Sequence, residues 1–195
     1  DEPINNPGTG QVLLPFDYEM DPTIVTDPAY KNAAAALESV PTLATGINKG
    51  DIFGTNGFYE TGTDQDNVEK PISFEYIDPS HPEDNVQVNA GISAHAKPRI
   101  KRSMNVHFKK IYGVSKLSAA LFQHAPAGGD SATDQIDQLI LRAGNNRTWA
   151  TTSNPAKTTY TEDEFVRQNQ IAMTGMGVHG NFVHLYINGI YWGLY

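Results

Sequence analysis

Cysteine is absent from the 195 residues. That removes disulfide frameworks, thiolate metal sites and cysteine nucleophiles in one step. Long apolar runs are missing too: no stretch approaches the roughly 18–20 apolar residues of a membrane-spanning helix. Positive charge is scarce, with 14 Lys and Arg against 22 Asp and Glu and a formal net charge of −8. Such a balance argues against a nucleic-acid binder, whose phosphate contacts need a basic surface. No Gly-x-Ser-x-Gly or Walker loop occurs.

What is present suits one domain with a real core, since 39% of the residues are hydrophobic. Residues 1–16, with Pro3, Pro7, Gly8 and Gly10 among Asn and Thr, read as an extended arm or linker. Asp27-Pro28 offers a helix start, followed by Tyr30, Ala33, Ala34 and Leu37 at helical spacing and ended by Pro41. The glycine-spaced stretch from Gly46 to Gly62 reads as a loop anchored by Ile52, Phe53, Phe58 and Tyr59. Period-two alternation then dominates. Ile72, Phe74 and Tyr76 form one set, Val86 to Ala94 a second, and Met104, Val106 and Phe108 a third. These predict an antiparallel sheet with one buried face, joined by a strand over Ile136 to Arg142. The fold class expected is α+β, an antiparallel sheet with a few packed helices.

Thr161 to Glu164 fits a capping box, with Phe165, Val166, Asn169, Ala172 and Met173 on one helix face and Gly175 as the stop. Asn188-Gly189 between two apolar runs predicts a two-residue hairpin. Uniform pairing around that turn sets Leu185 against Trp192, His184 against Gly193 and Val183 against Leu194. Both faces are then apolar, which predicts an interior hairpin covered on both sides.

Chemistry-bearing clusters are few. The six His lack metal-ligand spacing, so no metal ligand is assigned. The run Thr63-Asp64-Gln65-Asp66-Asn67 has the oxygen donors calcium takes, without the Gly and Glu of an EF-hand; a solvated acidic loop is the other reading. Asn146-Arg147-Thr148 is a formal glycosylation acceptor. One basic cluster stands out in this acidic chain: Lys97, Arg99, Lys101, Arg102, Lys109 and Lys110. It suits phosphate groups through charge-assisted hydrogen bonds, or else a solvated strand edge blunted by lysine.

Several longer strings share an order with one known family. They are Asp17-Tyr18-Glu19-Met20-Asp21-Pro22, Asp51-Ile52-Phe53-Gly54-Thr55-Asn56-Gly57-Phe58-Tyr59, Val88-Asn89-Ala90-Gly91-Ile92 and Tyr112-Gly113-Val114-Ser115-Lys116-Leu117. Leu141-Arg142-Ala143-Gly144-Asn145-Asn146 follows, then Val183 to Gly189 running into Tyr191-Trp192-Gly193-Leu194-Tyr195. Over residues 17–195 the chain resembles the spore coat protein H (CotH) kinase-like family of bacterial surface and secreted proteins. The resemblance implies an extracellular or cell-surface atypical kinase with a two-lobed fold, of which this chain is the N-terminal, mostly β part, truncated at its C-terminal end. It implies ATP with Mg or Mn as cofactors of the full domain, and catalytic acidic residues beyond Tyr195. Lys101, Arg102 and Arg142 are the cofactor-binding, phosphate-side candidates, and the missing C-terminal part or other protein chains are the expected partners. Three strings depart from the family. Ser93-Ala94-His95-Ala96 stands where Gly and Arg are usual, Lys101-Arg102-Ser103-Met104-Asn105 where Lys-Lys/His-Ser-Phe-Arg is usual, and Glu162-Asp163 where an Arg-Asp pair is usual. The second reading is a non-catalytic extracellular module, structural or adhesive, using Phe58, Tyr59 and the loop near Asp64 as contact surfaces.

Overall fold

A computed structural model describes residues 18–53, 57–59, 68–95, 101–125, 129–144 and 158–195, with the backbone of 4–5 and 12–13. Within the arm, β1 (Ile4–Asn5) pairs antiparallel with β2 (Val12–Leu13). Two short helical segments follow. In α1 (Pro22–Val25) the Asp21 carboxylate accepts from Thr23 N–H at 2.8 Å. Asp27 caps a 3-10 turn over Pro28–Tyr30 in the same way through Ala29, and α2 (Ala33–Glu38) comes after it. The single helix expected there is thus broken at Lys31-Asn32, although its cap is as expected.

The body is a seven-stranded sheet. In chain order it holds β3 (Thr42–Gly46), β4 (Glu69–Ile77), β5 (Val86–His95) and β6 (Ser103–His107), then β9 (Gln138–Leu141), β10 (His184–Ile187) and β11 (Ile190–Leu194). Spatial order is β11-β10-β3-β4-β5-β6-β9, and every neighbouring pair is antiparallel except β10 with β3. Separately, β7 (Leu117–Ser118) pairs with β8 (Gln135–Ile136). The α+β class holds. The strand expected over Ile136 to Arg142 is split at Asp137, whose carbonyl turns aside to accept the Phe108 N–H at 2.9 Å.

Alternation places the core. Ile72, Phe74 and Tyr76 face Ala90, Ile92, Met104 and Val106 on one side of the sheet, all buried. Ile52, Phe58, Leu117, Leu121 and Ile136 cover that side. Ile52 belongs to α3 (Lys49–Phe53), a helical turn inside the stretch expected to be a loop. Phe58 is 0% exposed and Tyr59 packs against the core, so neither is the surface aromatic that an adhesive reading required.

The hairpin at the sheet end corrects two further expectations. Asn188 and Gly189 both have positive φ, 53° and 81°, as a type I′ turn demands. Pairing starts as expected, with Ile187 opposite Ile190 and Tyr186 opposite Tyr191. A bulge then shifts the register by one, so Leu185 faces Gly193, His184 faces Leu194, and Val183 exchanges both backbone bonds with Tyr195 at 2.9 Å. Trp192 takes the extra position. The hairpin is also not interior as a pair: β10 is internal, but β11 is the edge of the sheet.

Helix α4 (Glu162–Thr174) ends as expected, with Gly175 N–H donating to the Ile171 carbonyl at 2.8 Å. Its start and its buried side differ from expectation. Thr161 makes no side-chain cap, its hydroxyl donating instead to Thr159 Oγ1 at 3.2 Å, and the Glu164 carboxylate is held by Arg167 and Gln168. The buried residues are Glu164 and Ile171, while Phe165, Val166 and Met173 are 68%, 64% and 84% exposed. The apolar face predicted to pack inward therefore points outward. Residues 177–180 fold back over the Glu164–Ile171 side: a methyl at Gly180 would lie 2.6 Å from Glu164 Oε2, and one at Gly177 2.5 Å from Ile171 Cγ1.

Candidate functional site

Lys101 and Arg102 sit just before β6, at the sheet end that β11 approaches. Tyr59 and Tyr195 clamp their backbone. Tyr59 Oη accepts from Arg102 N–H at 3.3 Å, and the Tyr195 hydroxyl donates to the Arg102 carbonyl at 3.0 Å. The Tyr59 ring is in turn edge-on to Trp192 at 5.5 Å between centroids, with Trp192 Nε1 donating to its oxygen at 3.2 Å. The bulge brings Trp192 to this place, so the irregularity in the hairpin positions the site.

Lys101 reaches across the open edge. Its Nζ donates to the Tyr160 hydroxyl and to the Leu194 carbonyl, and lies 4.1 Å from the Tyr195 ring centre and 5.0 Å from that of Tyr160. The register points the Leu194 carbonyl away from β10, so Lys101 satisfies an acceptor of the free edge. Gly193 lies against it: a methyl there would sit 3.4 Å from Lys101 Cε, an ordinary contact, so it is the backbone conformation, with φ at +116°, that favours glycine. Among the described residues no carboxylate pairs with this ammonium. Burial pushes it from 10.5 down to about 8, since neutral oxygens and ring faces return less than a carboxylate would.

The other candidates do not join it. The Arg102 side chain is buried, at 1% exposed. Arg142, just after β9, is exposed and pairs with Asp163 at the start of α4. Lys109 pairs with Glu69, and Lys110 is exposed. The basic cluster is therefore not one patch. Lys97, Arg99, the run from Thr63 to Asn67 and the Asn146 acceptor lie outside the described residues.

A divalent cation for phosphoryl transfer finds no fitting set among the described carboxylates. Asp51 is engaged by Lys70, Glu69 by Lys109, Asp137 by Lys116, Asp163 by Arg142 and Glu164 by Arg167. One group was not legible from spacing. His81 and His124 stack at 3.4 Å between ring centres, with Glu83 beside them. Carboxylates account for it: His124 meets Asp84 at 2.9 Å and His81 meets Glu83 at 3.5 Å. The remaining histidines have ordinary partners, Asn105 for His95, Ser93 for His107, Ser131 for His179 and the Tyr191 hydroxyl for His184. Ser93, His107 and Glu69 do not form a nucleophile relay, since the serine and the glutamate both approach the same ring nitrogen, at 2.9 and 3.8 Å.

No family model matches this chain, and neither do any curated protein or any solved structure. Among the described residues no helix is long and apolar enough to cross a membrane. Tyr160 is the site residue that sequence reasoning missed. It lies 59 positions from Lys101, and no local pattern links them.

Proposed function

We propose that this chain is the nucleotide-side, β-rich part of a secreted or surface CotH-like kinase domain, with Lys101 as its phosphate-facing residue. The sequence resemblance motivates the reading, and one structural observation supports it. Lys101 is held in place by neutral groups alone, so its charge remains available to an anion. Arg142 is a secondary candidate, because its partner Asp163 is exposed and exchangeable. Arg102 would act through its backbone, by fixing Lys101 between Tyr59 and Tyr195. Phosphoryl transfer itself belongs to the full domain, where further acidic residues would supply what the described carboxylates do not.

Equilibrium dialysis of radiolabelled ATP against the chain tests this. Saturable binding is expected, weakened about tenfold by Lys101→Gln, the loss of one charge-assisted hydrogen bond. No ATP binding, or equal affinity in the variant, overturns the assignment. A second reading, a non-catalytic structural or adhesive module, is favoured by the outward apolar face of α4, where Phe165, Val166 and Met173 are joined by exposed Met176 and Val178. Absence of ATP binding moves the weight to it.

A further inference from the structure

The polar face of the sheet, opposite the core, carries an open cleft of about 570 Å³ that the phosphate reading does not use. Gly46, Ser73 and Asn89, from β3, β4 and β5, line its floor, and Asn48, Asp51 and Tyr112 its sides. We propose that this cleft binds a neutral saccharide ring.

The walls are fixed in advance. The Tyr112 ring lies against Gly91, where a methyl would come within 2.5 Å of its Cε2 and 2.7 Å of Glu69 Oε1. Glu69 holds the Tyr112 hydroxyl and is itself held charged by Lys109. On the other side the Asn188 amide grips both backbone groups of Ile47, at 2.8 and 2.9 Å, so the hairpin turn fixes the segment leading to Asn48. Walls that need no ordering on binding lower the entropic cost of association.

The polar groups offer both senses of hydrogen bond. Asn48 Oδ1 accepts from Gly50 N–H at 2.8 Å, which leaves its NH2 to donate. Ser73 Oγ accepts from Gly46 N–H at 3.0 Å and keeps its own proton to donate. Asn89 stands directly opposite Ser73 in the ladder, exposed, and its amide makes no hydrogen bond among the described residues. Amides and hydroxyls that donate and accept in turn match ligand hydroxyls, which do the same. Charge does not select the ligand, because Asp51, the one charged residue on the lining, is neutralised by Lys70 at 3.0 Å. The Tyr112 ring and Ile111 supply apolar surface beside those groups, the combination that a sugar ring presents with its C–H and O–H faces. The inference rests on none of the residues assigned to phosphate.

A printed array of neutral oligosaccharides, followed by titration calorimetry with the strongest, tests it on the full chain; cellotriose, maltotriose and tri-N-acetylchitotriose are the first probes. Saturable binding is expected, weakened about tenfold by Tyr112→Ala and about fivefold by Asn89→Ala. Asn89 makes no side-chain hydrogen bond among the described residues, so its variant should keep the wild-type melting temperature. Tyr112→Phe keeps the ring and should bind within about twofold of wild type, as should Lys101→Gln. No saturable binding at millimolar saccharide, wild-type affinity in both alanine variants, or recognition only of sulfated or phosphorylated sugars would each overturn the proposal.

Discussion

Strands β4 to β6 and the hairpin β10–β11 belong to one sheet, yet they are held by different means. In the centre, ladders run unbroken and each face has one character: apolar residues pack on one side, and on the other Ser93 bonds His107 and Asn105 bonds His95. At the edge, the ladder is interrupted by a bulge, and distant residues finish the work. Lys101 and Tyr160 both donate to the Leu194 carbonyl, and Tyr59 and Tyr195 pin the chain beside it. The centre is thus stabilised by repetition and burial. The edge is stabilised by a few individual side chains, which is also the condition for presenting a charged group at a fixed place.

Truncation in the centre should give the largest effect. Phe74 is 0% exposed and meets Phe108 edge-on at 5.3 Å between ring centres. Phe74→Ala is expected to cost about 3–5 kcal/mol, through lost transfer energy and the cavity left behind. Tyr191→Ala on the half-exposed edge should cost a small fraction of that. Urea denaturation of the two variants measures the difference, and equal losses would break the contrast between centre and edge.

The same contrast governs what the sequence discloses. Ile72, Phe74 and Tyr76 alternate with polar neighbours, so a slip of one residue would turn them to water, and the register can be read without coordinates. The hairpin carries apolar residues on both faces, so a slip at Trp192 exposes nothing and leaves no trace in the pattern. Its turn was legible because positive φ at Gly189 needs a particular residue; its bulge was not. Helix α4 failed for another reason. Its apolar stripe is real, but Glu164 with Arg167 and Gln168 makes the opposite side the better-satisfied one to bury. For the candidate site, composition singled out Lys101 as part of a basic cluster. Only the tertiary arrangement separates it from Arg102, which is buried, and adds Tyr160 and Gly193.

A pH titration of stability sharpens the edge half of the comparison, with a smaller effect than the core truncation. Burial lowers Lys101 from 10.5 to about 8, so between those values the unfolded chain binds the extra proton. Stability from this group therefore rises with pH through that window. The lysine is partly exposed, and after screening by solvent the rise should amount to about 1–2 kcal/mol. Buried tyrosines act in the opposite sense above about pH 10, where unfolded tyrosine ionises first. Tyr112, only partly buried but bonded to the Glu69 carboxylate and pushed up to about 12, acts in the same way. The comparison of wild type with Lys101→Met between pH 8 and 9.5 isolates the lysine. The wild type should gain stability relative to the variant across that range. A parallel pair of curves would show that the ammonium is solvated and does not cap the edge.

Arg142→Ala should give the smallest effect. Its partner Asp163 sits in the first turn of α4, and the two side chains are 52% and 41% exposed. Exposed ion pairs lose to water and to side-chain entropy much of what they gain, so a cost below about 1 kcal/mol is expected. Raising the salt concentration should shrink it further, because charges at the surface are screened within about 10 Å at 0.1 M. The measurement is a pair of thermal melts in low and high salt. A loss above about 2 kcal/mol, well beyond an ordinary surface pair, would mean that α4 is anchored to the β9 edge through Arg142. In that event both edges of the sheet, not only β11, would depend on single long side chains from outside the ladder. Arg142 would then be committed to the fold and would leave Lys101 as the only phosphate-side candidate.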